Sequence, residues 1–324
     1  MKNQQICELF IENRDILKKI FIFTDHQIYH ICAMIFADKG QLADPQKLED
    51  CKNLLKNATK NTFGLSMNFR GYSHTIFICM LSISDNPEQK LEQTIKLYSE
   101  LKAEFSGSEY LALGAMIMTE YTTDYEQITT RAKEIYTDMR ANHPFLTSNE
   151  DSVFSLLLSL SEKSTKLLNE EIEKHYEECK EKFGKSNAVQ ALSHVLALTD
   201  GNAHDVINLY EDLRNRGYKY GTQFELPALG IVAKLGEKND IINELIEVDQ
   251  FLSNQKGYQG IFSLSKKQRL MHASCLVMSN HLNKSDTNIN LYTSTISAIA
   301  IAIAQQIALI IIIASSTAVT NANN

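Results

Sequence analysis

Histidines and carboxylates that fall close together are the first places to look for chemistry in this chain. In "TDHQIYH", His26 and His30 are four residues apart beside Asp25, which puts both imidazoles on one helix face. Such a pair can seat a metal ion, as in HExxH sites, but no Glu-x-x-His and no third ligand accompanies it. No metal or other cofactor is expected. The stretch "HPFLTSNEDS" (143–152) joins His143 to Glu150 and Asp151. Its proline fixes a loop entry, Phe145 and Leu146 are expected to plug a core, and Ser148 to cap the next helix. Carboxylates at a helix N-terminus are favoured by its dipole, so Glu150 and Asp151 have a structural reason to be there. His194 sits inside the apolar run "ALSHVLAL", where a hydrogen-bonded core histidine is the usual explanation and a catalytic base the minor one. His143, Glu150, Asp151 and His194 form the candidate polar site, at a junction between helices.

The remaining matches are weaker. Arg70, Lys267 and Arg269 could present an anion-binding patch, although solvated charge explains them more simply. Three S-x-x-K matches (Ser99–Lys102, Ser253–Lys256, Ser263–Lys266) fall on exposed-looking helices or loops, whereas a lysine-activated hydroxyl needs a dehydrated site. There is no G-x-S-x-G, P-loop or glycine fingerprint, so no catalytic residue is assigned.

These residues must be held by some framework, and composition bounds it. The chain has 324 residues, 44% hydrophobic and 22% charged, with four prolines and no tryptophan, which favours helices over a turn-rich β fold. A net charge of -7 gives no general footprint for nucleic acid. The six cysteines never approach closer than nineteen residues, which excludes CxxC sites and fits reduced thiols in a cytoplasm. "MKNQQICELFIENRD" carries no apolar run long enough for a signal peptide. A cytoplasmic location is expected.

A repeat sets the architecture. "KLYSELKAEF", "EIYTDMRANH", "KHYEECKEKF" and "NLYEDLRNRG" each carry a tyrosine, an apolar residue three positions on, and then a basic residue. Tyr98, Tyr136, Tyr176 and Tyr210 are spaced by 38, 40 and 34 residues, and Val248 continues the series without the ring. Between them lie segments apolar on nearly every side, such as "YLALGAMIMTEY", "DSVFSLLLSLSEKS", "AVQALSHVLALTD" and "LPALGIVAKLG", with small residues mid-helix. Capping pairs Ser148/Asp151, Thr222/Glu225 and Ser265/Gln268 mark helix starts, as does Asn86-Pro87. The fold class is therefore all-α: an α-solenoid-like stack of helical hairpins with a period of about 38 residues and an N-terminal helical cap. The expected divisions are a cap at 1–71, a repeat body at 72–280, and a linker with an apolar C-terminal helix at 281–324. About three helices are expected within residues 4–58, and "TKNTFGLSMNFRG" (59–71) is expected to be an internal loop.

The segments "SGSEYLALGAMIM", "HPFLTSNEDSVFSLLLSLS", "NAVQALSHVLAL", "FELPALGIVAKL" and "KKQRLMHASCLV" together resemble an uncharacterised bacterial family, mainly from Firmicutes. It is catalogued as a domain of unknown function, number four thousand and three. The resemblance runs from about residue 5 to the tail and implies an all-helical cytoplasmic protein, with no activity attached.

The tail, Ile296 to Ala314, is richer in isoleucine than the alanine-dominated ends of that family. Its ten Ile/Leu residues are worth roughly -5 kcal/mol of bilayer insertion, which Gln305 and Gln306 largely offset. Ile296, Ile299, Ile303, Ile307 and Ile310 form one helical stripe with Gln305 opposite, so the tail is expected to dock as a helix over the last repeat. Membrane contact or self-association are the other covers for this segment. Taken together, the sequence points to a non-enzymatic helical-repeat scaffold that binds a protein or peptide along a groove. The alternative is an enzyme or small-ligand-binding protein using His143, Glu150, Asp151 and His194. An open groove would favour the first, and a polar pocket with perturbed titratable groups the second.

Overall fold

A computed structural model describes residues 3–284, apart from 23, 25, 61–62, 72 and 261–262. The tail expectation (296–314) therefore lies outside the described residues, as do Asp25 and the side chain of His26. The described elements are fifteen helices with no strand among them, so the chain is all-α. None of these helices is long and apolar enough to cross a membrane.

The chain divides into two compact units, with the divisions inside two helices. Residues 9–129 form one. It holds most of α1 (Gln4–Ile20), then α2 (His26–Asp38), α3 (Pro45–Thr59), α4 (Phe63–Phe69), α5 (His74–Ser82), α6 (Pro87–Glu104), α7 (Glu109–Met118) and the start of α8 (Tyr125–Asn142). The expected three helices within residues 4–58 are α1, α2 and α3. Asp44 caps α3 by accepting from the N–H groups of Gln46 and Lys47, and Asn86 caps α6 by accepting from that of Gln89, each with proline at the first turn. The expected loop at 59–71 is corrected to α4. Phe69 is fully buried there, its ring 5.1 Å from Phe77 and 5.2 Å from Tyr98, and this packing overrides the weak helical pattern of the segment.

The other unit takes in residue 130 onward together with the chain's first residues, to Glu8. It contains the rest of α8, then α9 (Asp151–Leu158), α10 (Thr165–Phe183), α11 (Asn187–Leu198), α12 (Ala203–Asn215), α13 (Leu226–Val232), α14 (Lys238–Ser253) and α15 (Lys266–Lys284). Helices pair in sequence, α10 with α11, α12 with α13 and α14 with α15. The odd helices α9, α11, α13 and α15 touch in chain order, and so do the even helices α10, α12 and α14. This two-layer succession is compatible with a solenoid-like stack.

The layers differ as the sequence pattern requires. Every residue of α9 and α13 is buried, whereas α10 buries one stripe: Leu168, Ile172, Tyr176 and Cys179. The repeated tyrosines all fall on even helices, with Tyr98, Tyr136 and Tyr176 each the twelfth residue of α6, α8 and α10. Their apolar followers Leu101, Met139, Cys179 and Leu213 are all buried. A second repeat was not read from the sequence. Ser82, Thr119, Ser159 and Thr199 close successive odd helices by donating to a carbonyl three or four residues back. Two lysines also clamp the C-terminal end of α11: Lys163 donates to the Ala197 carbonyl, and Lys234 to those of Thr199 and Asp200.

Of the other capping pairs, Ser265 and Gln268 exchange both bonds as expected. The Thr222/Glu225 expectation is corrected: Glu225 is itself the N-cap of α13, and its carboxylate accepts from the Gln223 N–H. At the far end of this unit, Asn3 donates to Glu244 at 3.1 Å and accepts from Asn280 at 2.6 Å, which ties the chain's first residues to α14 and α15.

Close approach within the odd layer is tightest at Gly230. A β-carbon there would lie 2.6 Å from a methyl of Leu192 and 3.4 Å from one of Val195. Overpacking of this kind costs ~1–3 kcal/mol, against a helix-propensity gain of up to ~1 kcal/mol from replacing glycine. Gly230→Ala is thus expected to lower the melting temperature by a few degrees; an unchanged or raised value would mean that α11 and α13 are not pressed together here.

Candidate functional site

The side chains on the outside of α8 and α10 are matched rung by rung. Thr165 reaches Glu134, Asn169 reaches Asp138, and Asn142 reaches Glu173 at 3.2 Å, each pair separated by 31 residues. A constant offset with four-residue steps on both sides means that the two helices run parallel and in register. Between them lies an open cleft of about 860 Å³, lined by these six residues with Lys133, Thr137, Lys166 and Glu170. The lining carries four carboxylates and two lysines.

At one end of the cleft the chain turns through "HPFLTSNEDS". The N–H groups of Leu146 and Thr147 both bond to the His143 carbonyl, which closes a tight turn. The expected core plug is corrected: Phe145 is 93% exposed, because this turn throws its side chain outward. Leu146 is half-buried. Thr147 is the residue that enters the interior, donating to the Met139 carbonyl at 3.1 Å and accepting from the Gln190 amide at 2.9 Å.

The four sequence candidates lie around this turn in different settings. His143 Nε2 bonds to both Glu173 oxygens, at 3.0 and 3.1 Å, and its ring packs 4.2 Å from Tyr176. Glu150 is half-buried and accepts from Asn187 at 3.3 Å. Asp151 is buried and accepts from the Ser148 N–H at 2.8 Å, one half of the expected capping box. Burial pushes its carboxyl up to about 7, the Ser148 N–H opposing and Glu150 adding to the rise. His194 is fully buried with its ring 5.2 Å from Phe154. Burial, helped by His143, pushes its imidazole down to about 3. His194 is thus neutral near pH 7 and a poor proton acceptor.

Three further residues belong to the cluster and were not read from the sequence. Tyr136 donates to the Ser148 carbonyl at 3.2 Å, and Tyr176 and Gln190 face the turn from α10 and α11. In the sequence, Tyr136 and Tyr176 stand out only as members of the tyrosine repeat. Gln190 was legible in principle, being a polar residue one turn before His194 in an apolar helix.

The other candidates scatter. His30 is buried against Phe10, 6.0 Å between rings. Arg269 is engaged by both oxygens of Asp249, at 2.7 and 2.9 Å, so it is neither a solvated charge nor free for an anion. The hydroxyls of Ser99 and Ser253 are spent on carbonyls of their own helices. All six cysteines are buried, and burial pushes the thiols of Cys7, Cys179 and Cys275 up to about 12, so they are not reactive nucleophiles. Among the described residues, no three His, Cys, Asp or Glu side chains gather closely enough to hold a metal ion.

The family described as "Protein of unknown function (DUF4003)" matches residues 14–314, and the chain belongs to it. The chain is also similar to "Uncharacterized protein YeaA" of Bacillus subtilis (strain 168): 25% identical over 248 residues, covering 73% of this chain and 72% of that one. No solved structure matches.

The Asp151 shift has a signed consequence. A carboxyl raised from 3.8 to about 7 favours the folded state below pH 4, and that contribution is lost as pH rises through 7. The full shift corresponds to ~4 kcal/mol. Asp151→Asn keeps an oxygen for the Ser148 N–H but cannot ionise. Its melting temperature minus that of the parent should climb between pH 4 and 7 and level off above; a flat difference would place the Asp151 carboxyl in water.

Proposed function

We propose that this family member is a non-enzymatic helical-repeat scaffold that binds an extended peptide segment of a partner protein along the α8–α10 cleft. The observation that supports this reading is the in-register ladder. Its rungs recur every four residues, about 6 Å along a helix axis. Two residues of an extended peptide span about 6.6 Å. A strand laid parallel to the helices would therefore meet a new rung at every second residue. Asn142 and Asn169 carry amide donors and acceptors suited to peptide groups, and the Thr137 and Thr165 hydroxyl oxygens, whose protons go to Lys133 and Glu134, can accept. The excess of carboxylates over lysines favours basic side chains in that segment. Phe145, exposed just beyond Asn142, supplies the apolar anchor that a polar groove lacks.

The catalytic alternative has less support. Its imidazole at His194 is held neutral and is a poor base, and Asp151 is spent on helix capping. Selection from a displayed library of random peptides tests the proposal. Enriched peptides should bind the double variant Asp138→Ala/Asn169→Ala at least ~10-fold more weakly, a loss of ~1.4 kcal/mol, with helical content unchanged. Phe145→Ala should weaken them by a similar factor. Peptides that bind these variants as tightly as the parent, or no enrichment at all, would refute the cleft as the binding surface.

A further inference from the structure

The cleft between α8 and α10 is charged unevenly along its length. We infer that its partner segment carries the complementary order: an acidic side chain, basic side chains two and four residues from it, and then an apolar one. This rests on the cleft being the binding surface and adds which segment it takes. Lys133 and Lys166 each lie one residue from the 134/165 rung, which therefore sets two cations against the Glu134 carboxylate. The 138/169 rung carries the carboxylates of Asp138 and Glu170. The 142/173 rung carries that of Glu173, which His143 shares. The first rung is thus net positive and the next two are negative. The helix ends add to this gradient, since α10 begins at Thr165 on the first rung and α8 ends at Asn142 on the third.

One of these charges is placed against local preference. Lys166 is the second residue of α10, where the helix dipole disfavours a cation. Glu170 lies 3.9 Å from it with both side chains exposed, and lysine before glutamate is the weaker i, i+4 order. Helix stability alone would choose the opposite arrangement, so the positive rung has its reason outside the helix. An anionic group on a bound segment supplies that reason.

Spacing then fixes the order of the partner's side chains. Rungs are about 6 Å apart, two residues of an extended chain span about 6.6 Å, and alternate side chains face the same way. With an acidic side chain on the first rung, the residues two and four positions away meet the two negative rungs. The one six positions away passes Asn142 towards exposed Phe145. The charges select this order of side chains, whichever way the peptide backbone runs.

Two fluorescent, end-capped peptides of one composition test this by anisotropy on the full-length protein. Their orders are acid-x-base-x-base-x-leucine and base-x-base-x-acid-x-leucine, with alanine at x, each made in both chain directions. The first order should bind the parent at least ~5-fold more tightly, because the second turns attraction into repulsion on two rungs. The preference should shrink at ~1 M salt. Lys166→Glu/Glu170→Lys keeps the composition and puts the pair in the favourable helical order, and it should abolish the preference. Equal binding of both orders to the parent, or a preference that survives the charge swap, overturns the charge order. The cleft itself still stands in that case if Asp138→Ala/Asn169→Ala weakens both peptides. If neither peptide binds the parent, or that variant binds both as tightly, the cleft fails as the binding surface and the charge order fails with it.

Discussion

The constraint from which the rest follows is that the odd helices of residues 130–284 are covered on all sides. α9 and α13 bury every residue, and α11 buries nine of its twelve. A helix so enclosed cannot leave its end groups to water, so each must be satisfied internally. The structure meets this need in three ways. Ser186 accepts from the Val189 N–H at the start of α11, hydroxyls at the ends of α9 and α11 fold back on carbonyls, and Lys163 and Lys234 converge on the last carbonyls of α11. Small residues such as Gly230 then let the helices touch.

The even helices inherit their geometry from this layer. Each lays one apolar stripe on it, anchored by the tyrosine and the buried residue three positions later, and turns its polar side outward. Successive hairpins set α8 and α10 side by side in register, and this produces both the ladder and the cleft. The turn between α8 and α9 closes the same corner. There the interior meets polar groups it does not fully satisfy, at Gln190 and His194.

Much of this was legible because periodicity is written in residue types. The tyrosine repeat identified the even helices, and continuous apolar runs identified the odd ones. α4 was missed because its seven residues carry too little pattern, and Phe69 is decided by rings distant in sequence. Phe145 is exposed although phenylalanine is among the residues most often buried, and only the turn's hydrogen bonds to the His143 carbonyl reveal that it points out. The site was half legible. Its histidines and carboxylates stood out by type, but the ladder depends on helix register and Gln190 on what lies across from it. Neither is encoded locally.

The central claim is that α8 and α10 lie parallel with an offset of 31 residues, since both the cleft and the corner at His143 depend on it. Cross-linking of paired cysteine variants with a short bis-maleimide tests it directly. Pairs at 134/165, 138/169 and 142/173 should link rapidly, and the offset pair 134/173 should not. Rapid linking of 134/173, or failure of the three in-register pairs in folded protein, would contradict the arrangement.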